Sequence, residues 1–269
     1  ARNHVAAFIK SFYRRSDMSM LELTPDFIKE FAAYLSTEAG LRNGSIWANC
    51  MWLKGVVMKA HYNGLIPRNP FIQFHISPNV KEREYLTEDE LKAVMTHEFA
   101  DSKLAYIRDI FIFASFTALS FVDIQELTND NIVEVNGEKW ILSKRHKTKV
   151  AFQVKLLDIP LQIVERYRPM QKDNRIFPGL NYWSICKPLK RMIRECGITK
   201  SISFHCSRHG FATLALSKGM PIESVSRVLG HTNIVTTQLY AKITTQKLDN
   251  DLTMFGDKLS KTFNGITMS

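Results

Sequence analysis

The sequence lacks the features of a secreted, metal-bound or membrane-spanning protein. Its four cysteines, Cys50, Cys186, Cys196 and Cys206, form no Cys-x-x-Cys pair and suggest no disulfide framework, so reduced thiols are expected. Grouping Cys186 and Cys196 with His205 and His209 leaves gaps of about ten residues, which match no usual zinc-ligand spacing. Long apolar runs are missing too. The longest, Ile110 to Val122, contains Ser115 and Thr117 and ends at Asp123. A spanning helix needs about 20 apolar residues, so this run is expected to be a buried core helix. No secretory leader stands at the start, because residues 1–15 read as an amphipathic helix with Arg2, Lys10, Arg14 and Arg15 interspersed. The chain begins at Ala1 inside that pattern, which points to a piece of something longer. Acidic residues are in deficit: 26 Asp and Glu against 36 Lys and Arg leave a net charge of +10. Such an excess of cation suits nucleic acid or an anionic membrane surface as partner.

What is present is an ordinary globular composition, 45% apolar and 23% charged, in 269 residues, enough for two modest domains. Val5, Phe8, Ile9 and Phe12 share one helical face. Thr24 as N-cap with Pro25 at the first position opens a second helix carrying Phe27, Ile28, Phe31 and Leu35. A third runs from about Ser45 to Tyr62 and closes at Asn63-Gly64. Residues 1–77 therefore read as an all-helical domain, with Arg42, Lys54 and Lys59 either contacting phosphates or lying on solvated faces. Pro67, Pro70, Pro78 and the polar Lys81-Glu82-Arg83-Glu84 mark a linker over 78–85. A second domain, 86–269, then opens with Thr87 and Glu90 as a capping box. Ile132–Val135, Asn136-Gly137 and Trp140–Leu142 predict a hairpin with a type I′ turn. The cationic turn Lys144-Arg145-His146-Lys147-Thr148-Lys149 leads to a third strand, 150–154. Helices return from Leu161 and from Trp183 to Cys196. Leu248, Leu252, Phe255 and Leu259 predict a last amphipathic helix. The fold class is mainly α with a small antiparallel β-sheet.

The chemistry concentrates between Phe204 and Tyr240. This stretch holds His205-Cys206-Ser207-Arg208-His209, then Leu229-Gly230-His231, then Leu239-Tyr240. Arg208 is always charged, and its planar fork of donors suits a phosphate oxyanion. Tyr240 is the one strong oxygen nucleophile near it in the sequence. Together they read as a site that attacks a phosphodiester. His205 and His209 stand at i, i+4 as in zinc-peptidase helices. Cys206 occupies the position of the glutamate, however, and Arg208 would repel a dication.

These residues resemble the tyrosine recombinases, or phage-type integrases. The family pattern of His-x-x-Arg-His, Ala-Thr, Leu-Gly-His, Thr-Thr and Tyr is matched by His205–His209, Ala212-Thr213, Leu229–His231, Thr236-Thr237 and Tyr240. Leu86-Thr87, Glu90 and Asn69-Pro70-Phe71 echo it more weakly. The resemblance covers a SAM-like core-binding domain and a catalytic domain, without the N-terminal arm-binding domain that integrases of mobile elements often carry. It implies that Tyr240 attacks the scissile phosphate, leaving a 3′-phosphotyrosyl bond and a free 5′-hydroxyl. Arg208 would stabilise the transition state, and His205 and His231 would hydrogen-bond phosphate oxygens or assist proton transfer. Lys147 would protonate the leaving oxygen, with Lys144 and Lys149 as alternatives. No metal and no cofactor are implied. The implied partner is double-stranded DNA at attachment or core sites, bound as a tetramer with C-terminal helices exchanged between protomers, in the cytoplasm at the nucleoid and away from membranes. Integration or excision of a mobile element is the implied reaction; the alternatives are a type IB topoisomerase-like relaxation and a non-catalytic DNA-binding accessory protein.

One position departs from the family. Where a Thr-Gly-Leu-Arg segment usually supplies a first arginine, this chain reads Thr117-Ala118-Leu119-Ser120, with the following acid kept as Asp123. A serine carries no charge, so another cation is expected to substitute. Arg108 is the candidate, although twelve helical residues would set it about 18 Å from Ser120.

Overall fold

A computed structural model describes residues 1–78, 84–147, 149–171, 173–241 and 245–262. The chain divides into two compact units, 1–82 and 83–269. Most of the expected linker lies outside the described residues.

The first unit contains α1 (Arg2–Phe12), α2 (Pro25–Thr37) and α3 (Asn43–Tyr62). Thr24 caps α2 by accepting the Phe27 N–H at 3.1 Å, as the Thr-Pro pair predicts. The apolar faces meet around Phe8, which lies 5.2 Å from Phe27 and 5.5 Å from Phe31 between ring centroids. Ile28, Leu35, Cys50 and Val57 complete this core without exposure. Each such side chain contributes roughly 1.5–3 kcal/mol by leaving water.

The second unit is built on α5 (Ser102–Thr117), preceded by α4 (Glu88–Thr96). The Thr87–Glu90 capping box is formed in both directions, at 3.3 and 2.7 Å. Ile110 to Ser115 are all buried, because α7 (Asp158–Tyr167), α8 (Tyr182–Glu195) and α9 (His205–Ser217) pack around α5. The run from Ile110 to Val122 is not one helix, contrary to expectation. Helix α5 stops at Thr117, Ala118 takes a left-handed conformation (φ 57°), and α6 (Phe121–Gln125) restarts from Ser120. Ser120 and Asp123 cap each other there. Ser120 Oγ accepts the Asp123 N–H at 3.3 Å, and Asp123 Oδ2 accepts from Ser120 Oγ at 2.8 Å. Side-chain capping beats the continuous apolar pattern.

Strands β1 (Ile132–Val135), β2 (Glu138–Lys144) and β3 (Ala151–Lys155) form an antiparallel sheet in the order β1-β2-β3. Asn136 (φ 53°) and Gly137 (φ 78°) make the I′ turn, with Val135 opposite Glu138. After α9 come α10 (Ile222–Leu229), α11 (Val235–Gln238) and α12 (Thr245–Thr262). The expected apolar stripe of α12 is solvent-facing: Leu248, Leu252, Phe255 and Leu259 are all exposed. Among the described residues, no helix is long and apolar enough to cross a membrane.

Candidate active site

The end of α10 organises the site. A helix leaves its last carbonyls without internal partners and carries partial negative charge at that end. In α10, Gly230 takes the left-handed cap (φ 62°), and the Gly230 and His231 N–H groups satisfy Arg227 O and Ser226 O. The next two carbonyls remain, and each takes an arginine. Val228 O accepts from Arg145 Nη2 at 2.6 Å, and Leu229 O accepts from Arg208 Nη2. Arg208 is also fixed by Ala118 O at the C-terminus of α5, 2.7 Å from its Nη1.

Arg145 was not expected here. It follows β2 directly, and its guanidinium is buried between the sheet and α10. Its Nη1 donates to Asp123 Oδ2 at 2.7 Å, and its Cζ lies 4.0 Å from the Phe152 ring centroid. A Cβ on Gly230 would sit 2.9 Å from Arg145 Nε, so glycine at this position also leaves room for the side chain to pass. Asp123 gathers the Ser120 hydroxyl, the His146 N–H at 3.0 Å and Arg145. Burial opposes its ionisation, but these three donors hold its pKa below the usual carboxylate range. Ser120 thus orients the acid that anchors Arg145.

The two guanidiniums perturb each other and their neighbours. Burial, then the charge of Arg145, pushes the Arg208 pKa down to about 10, which leaves it charged at neutral pH. Burial also lowers Arg145, against the pull of Asp123. His231 is half-buried, and its pKa falls to about 4 through desolvation and then the charges of Arg208 and Arg145. Its Nδ1 lies 2.8 Å from Oγ1 of the fully buried Thr237. The ring is therefore neutral and oriented, with Nε2 as its other polar atom. His205 and His209 of α9 and Tyr240, just after α11, form a row of rings with successive centroids 4.9 and 5.0 Å apart.

The remaining expected residues take no part in the hydrogen bonds that hold Arg208 and His231. Lys147 is exposed in the β2–β3 turn, flanked by exposed Lys144 and Lys149; Thr148 lies outside the described residues. Arg108 does not join Arg208, which corrects the expectation. Its Nε donates to Asp109 Oδ1 at 2.8 Å and its Nη1 to His97 O at 3.0 Å. Asp109 also accepts from Arg166 and Tyr167, so Arg108 serves a buried structural cluster on the far part of α5. In the first unit, Arg42 and Lys59 are exposed and Lys54 is half-buried. Sequence reading also missed the basic face of α8, where Lys187, Lys190 and Arg194 are exposed below a Trp183 that is 84% exposed. The helical period of these residues, opposite buried Ile185, Leu189 and Met192, would have shown it. No metal-ligating cluster occurs among the described residues.

Comparison with known proteins identifies the family. The family described as "Phage integrase family" matches residues 84–247, and "Phage integrase SAM-like domain" matches residues 1–76. Tyrosine recombinase XerA of Pyrococcus horikoshii is 32% identical over 177 residues, 61% of this chain and 58% of that protein. Tyrosine recombinase XerC of Lactobacillus leichmannii is 25% identical over 229 residues, 80% of this chain and 77% of the relative. Among solved structures, the Tn1549 transposon integrase in complex with a circular intermediate DNA gives a TM-score of 0.78 at 18% identity, covering 94% of this chain and 92% of that one. A lambda integrase dimer bound to a COC′ core site gives 0.68 at 18% identity, over 89% and 87%. At these identities the structural likeness speaks for the fold alone. The two family matches, with a tyrosine, an arginine and two histidines at the family's spacing, lead to one conclusion: the chain belongs to the phage integrase family and is a tyrosine-type site-specific recombinase.

Proposed function

We propose that this recombinase cuts and rejoins double-stranded DNA at the attachment sites of a mobile element, with Arg145 supplying the charge that the family usually draws from the position of Ser120. The carrying observation is that Arg145 and Arg208 are held side by side by consecutive carbonyls of α10, next to His231. Each guanidinium spends two N–H groups on its anchors and keeps others for an oxyanion. Two fixed cations and a neutral His231 donor suit the extra negative charge of a pentacoordinate phosphorus.

In the cleavage step Tyr240 Oη bonds to phosphorus while the bond to the 5′ oxygen breaks. The phenolic proton passes to an imidazole of α9. His231 suits this role poorly, because its depressed pKa makes it a weak base; His205 is reached across His209, whose ring lies 5.0 Å from that of Tyr240. Lys147 gives its proton to the departing 5′ oxygen, with Lys144 and Lys149 as its alternatives. Rejoining is the reverse and needs no ATP, because the phosphotyrosyl bond keeps the energy. The basic face of α8, with Arg42, Lys54 and Lys59 in the first unit, supports contact with the DNA backbone. The exposed apolar stripe of α12 supports assembly on DNA, with exchange of this helix between protomers in a tetramer.

The test is a nicked duplex carrying the attachment site, incubated with protein and run on a denaturing gel. A covalent complex that disappears in Tyr240→Phe is expected. Its absence in the unaltered protein would favour an accessory DNA-binding role, and relaxation of site-free plasmid would favour a topoisomerase.

A further inference from the structure

Helix α6 is only five residues long, yet it pins the loop between β2 and β3 at two points. Asp123 makes the first, accepting from the His146 N–H at 3.0 Å and from the Arg145 side chain at 2.7 Å. Glu126, which caps the C-terminus of α6, makes the second with a carboxylate 2.8 Å from His146 Nδ1. The loop is closed across its base by Arg145 N–H to Val150 O and Lys149 N–H to Arg145 O, both 2.8 Å. Lys149 reverses the chain there with φ 57°. Lys147 lies between the second pin and this closure.

The His146–Glu126 contact is not needed for the rest of the site. Arg145 is already fixed by Asp123, Val228 O and Phe152. Both members of the pair are about half exposed, at 51% and 54%, and such pairs add little to global stability. What the contact does fix is the residue immediately before Lys147. A lysine ammonium sits on a flexible four-carbon stem, so its aim depends on where the backbone launches it.

We propose that His146 and Glu126 form a positioning pair that aims the Lys147 ammonium at the leaving 5′ oxygen. The inference rests on Lys147 being the proton donor of the cleavage step. Nδ1–H donates to the Glu126 carboxylate whether the imidazole is neutral in that tautomer or protonated, so the pair works in either state. Neither side chain touches the phosphate; the pair acts through the direction of residue 147.

The experiment separates aim from fold by changing the leaving group. An attachment-site duplex is made with either an ordinary oxygen or a bridging sulfur at the 5′ side of the scissile phosphate. A thiolate departs without being protonated, so Lys147→Ala is expected to fail on oxygen and to cleave the sulfur duplex at close to the unaltered rate. His146→Ala and Glu126→Ala are expected to lose about 10- to 100-fold on oxygen, the scale of a small misplacement of a catalytic group, and to recover on sulfur. His146→Asn, whose amide N–H takes the place of Nδ1–H, is expected to retain most of the oxygen rate. The double variant His146→Ala/Glu126→Ala is expected to be no slower than either single one. If Lys147→Ala recovers on sulfur while His146→Ala stays slow, the pair does not act through Lys147 and the inference is overturned. If Lys147→Ala itself stays slow on sulfur, the assignment of Lys147 fails, and the pair's role fails with it.

Discussion

Replacing Arg145 by methionine removes a charge while keeping an unbranched stem against Phe152. Two effects follow, and the structure allows them to be separated. The first is on stability. The Arg145 and Asp123 side chains are 7% and 4% exposed, and removing one partner of a buried pair leaves the other charge uncompensated. That costs about 3–5 kcal/mol. Asp123 keeps the Ser120 hydroxyl and the His146 N–H, which places the expected loss toward the lower end. The second effect is on chemistry. Withdrawing one preorganised donor from a developing oxyanion costs about 10²–10³ in rate. The double variant Arg145→Met/Asp123→Asn removes the orphaned charge and keeps one amide oxygen to accept the His146 N–H, while its NH2 faces the Ser120 hydroxyl, which can turn to accept it. It is therefore expected to recover most of the stability and none of the rate. Urea unfolding reads the first quantity; single-turnover formation of the covalent complex on a nicked attachment-site duplex reads the second. A folded double variant that forms the complex at the unaltered rate would refute the proposed role of Arg145 in the chemistry.

Three further outcomes are expected. In Gly230→Ala, the strained left-handed backbone costs roughly 1–2 kcal/mol, and the new methyl crowds the Arg145 side chain. Covalent-complex formation should fall by more than that stability loss explains, and an unchanged rate would sink the idea that Gly230 makes room for Arg145. For His231, an NMR titration of the imidazole should show a midpoint near 4 rather than the usual 6.5. The unfolded chain takes up this proton first, so the residue's share of stability declines as pH drops from about 6.5 to about 4 and is level below that. The Arg145→Met variant should raise the midpoint, because it removes one of the cations that depress it. Arg108→Ala should lower stability by about 1–3 kcal/mol, since buried Asp109 loses a charged partner. Its cleavage rate at a temperature where it is folded should match the unaltered protein; a large drop would restore Arg108 as a candidate for the site.

The sequence was legible where chemistry lies in local spacing. Thr24-Pro25, Thr87-x-x-Glu90 and Asn136-Gly137 each announce their element through contacts within a few residues, and the structure has all three. The stretch 205–240 is similar, because α9, α10 and α11 follow one another directly. Arg145 was not legible in this way. It reaches α10 through a β2–β3 loop folded back on α6, a tertiary arrangement that no spacing along the chain encodes. A signal was present nonetheless: an acid at the end of an apolar run, Asp123, needs some cation, and a cationic turn offered several. The break at Ala118 was hidden differently. Apolar residues continue across it, and the Ser120-x-x-Asp123 cap that interrupts the helix is a weaker sequence mark than thirteen residues of hydrophobicity.

The segment from His231 to Tyr240 ties two jobs to one short piece of chain. Thr237 is buried and orients His231 through its hydroxyl, while its carbonyl accepts the Tyr240 N–H at 3.0 Å. A movement that withdraws the tyrosine by carrying this turn along also removes the hydroxyl that holds the imidazole. The proposed nucleophile and the proposed hydrogen-bond donor are then lost in a single motion. A chain that holds its tyrosine back in this way would lose both proposed functions, and restoring the turn would restore both together.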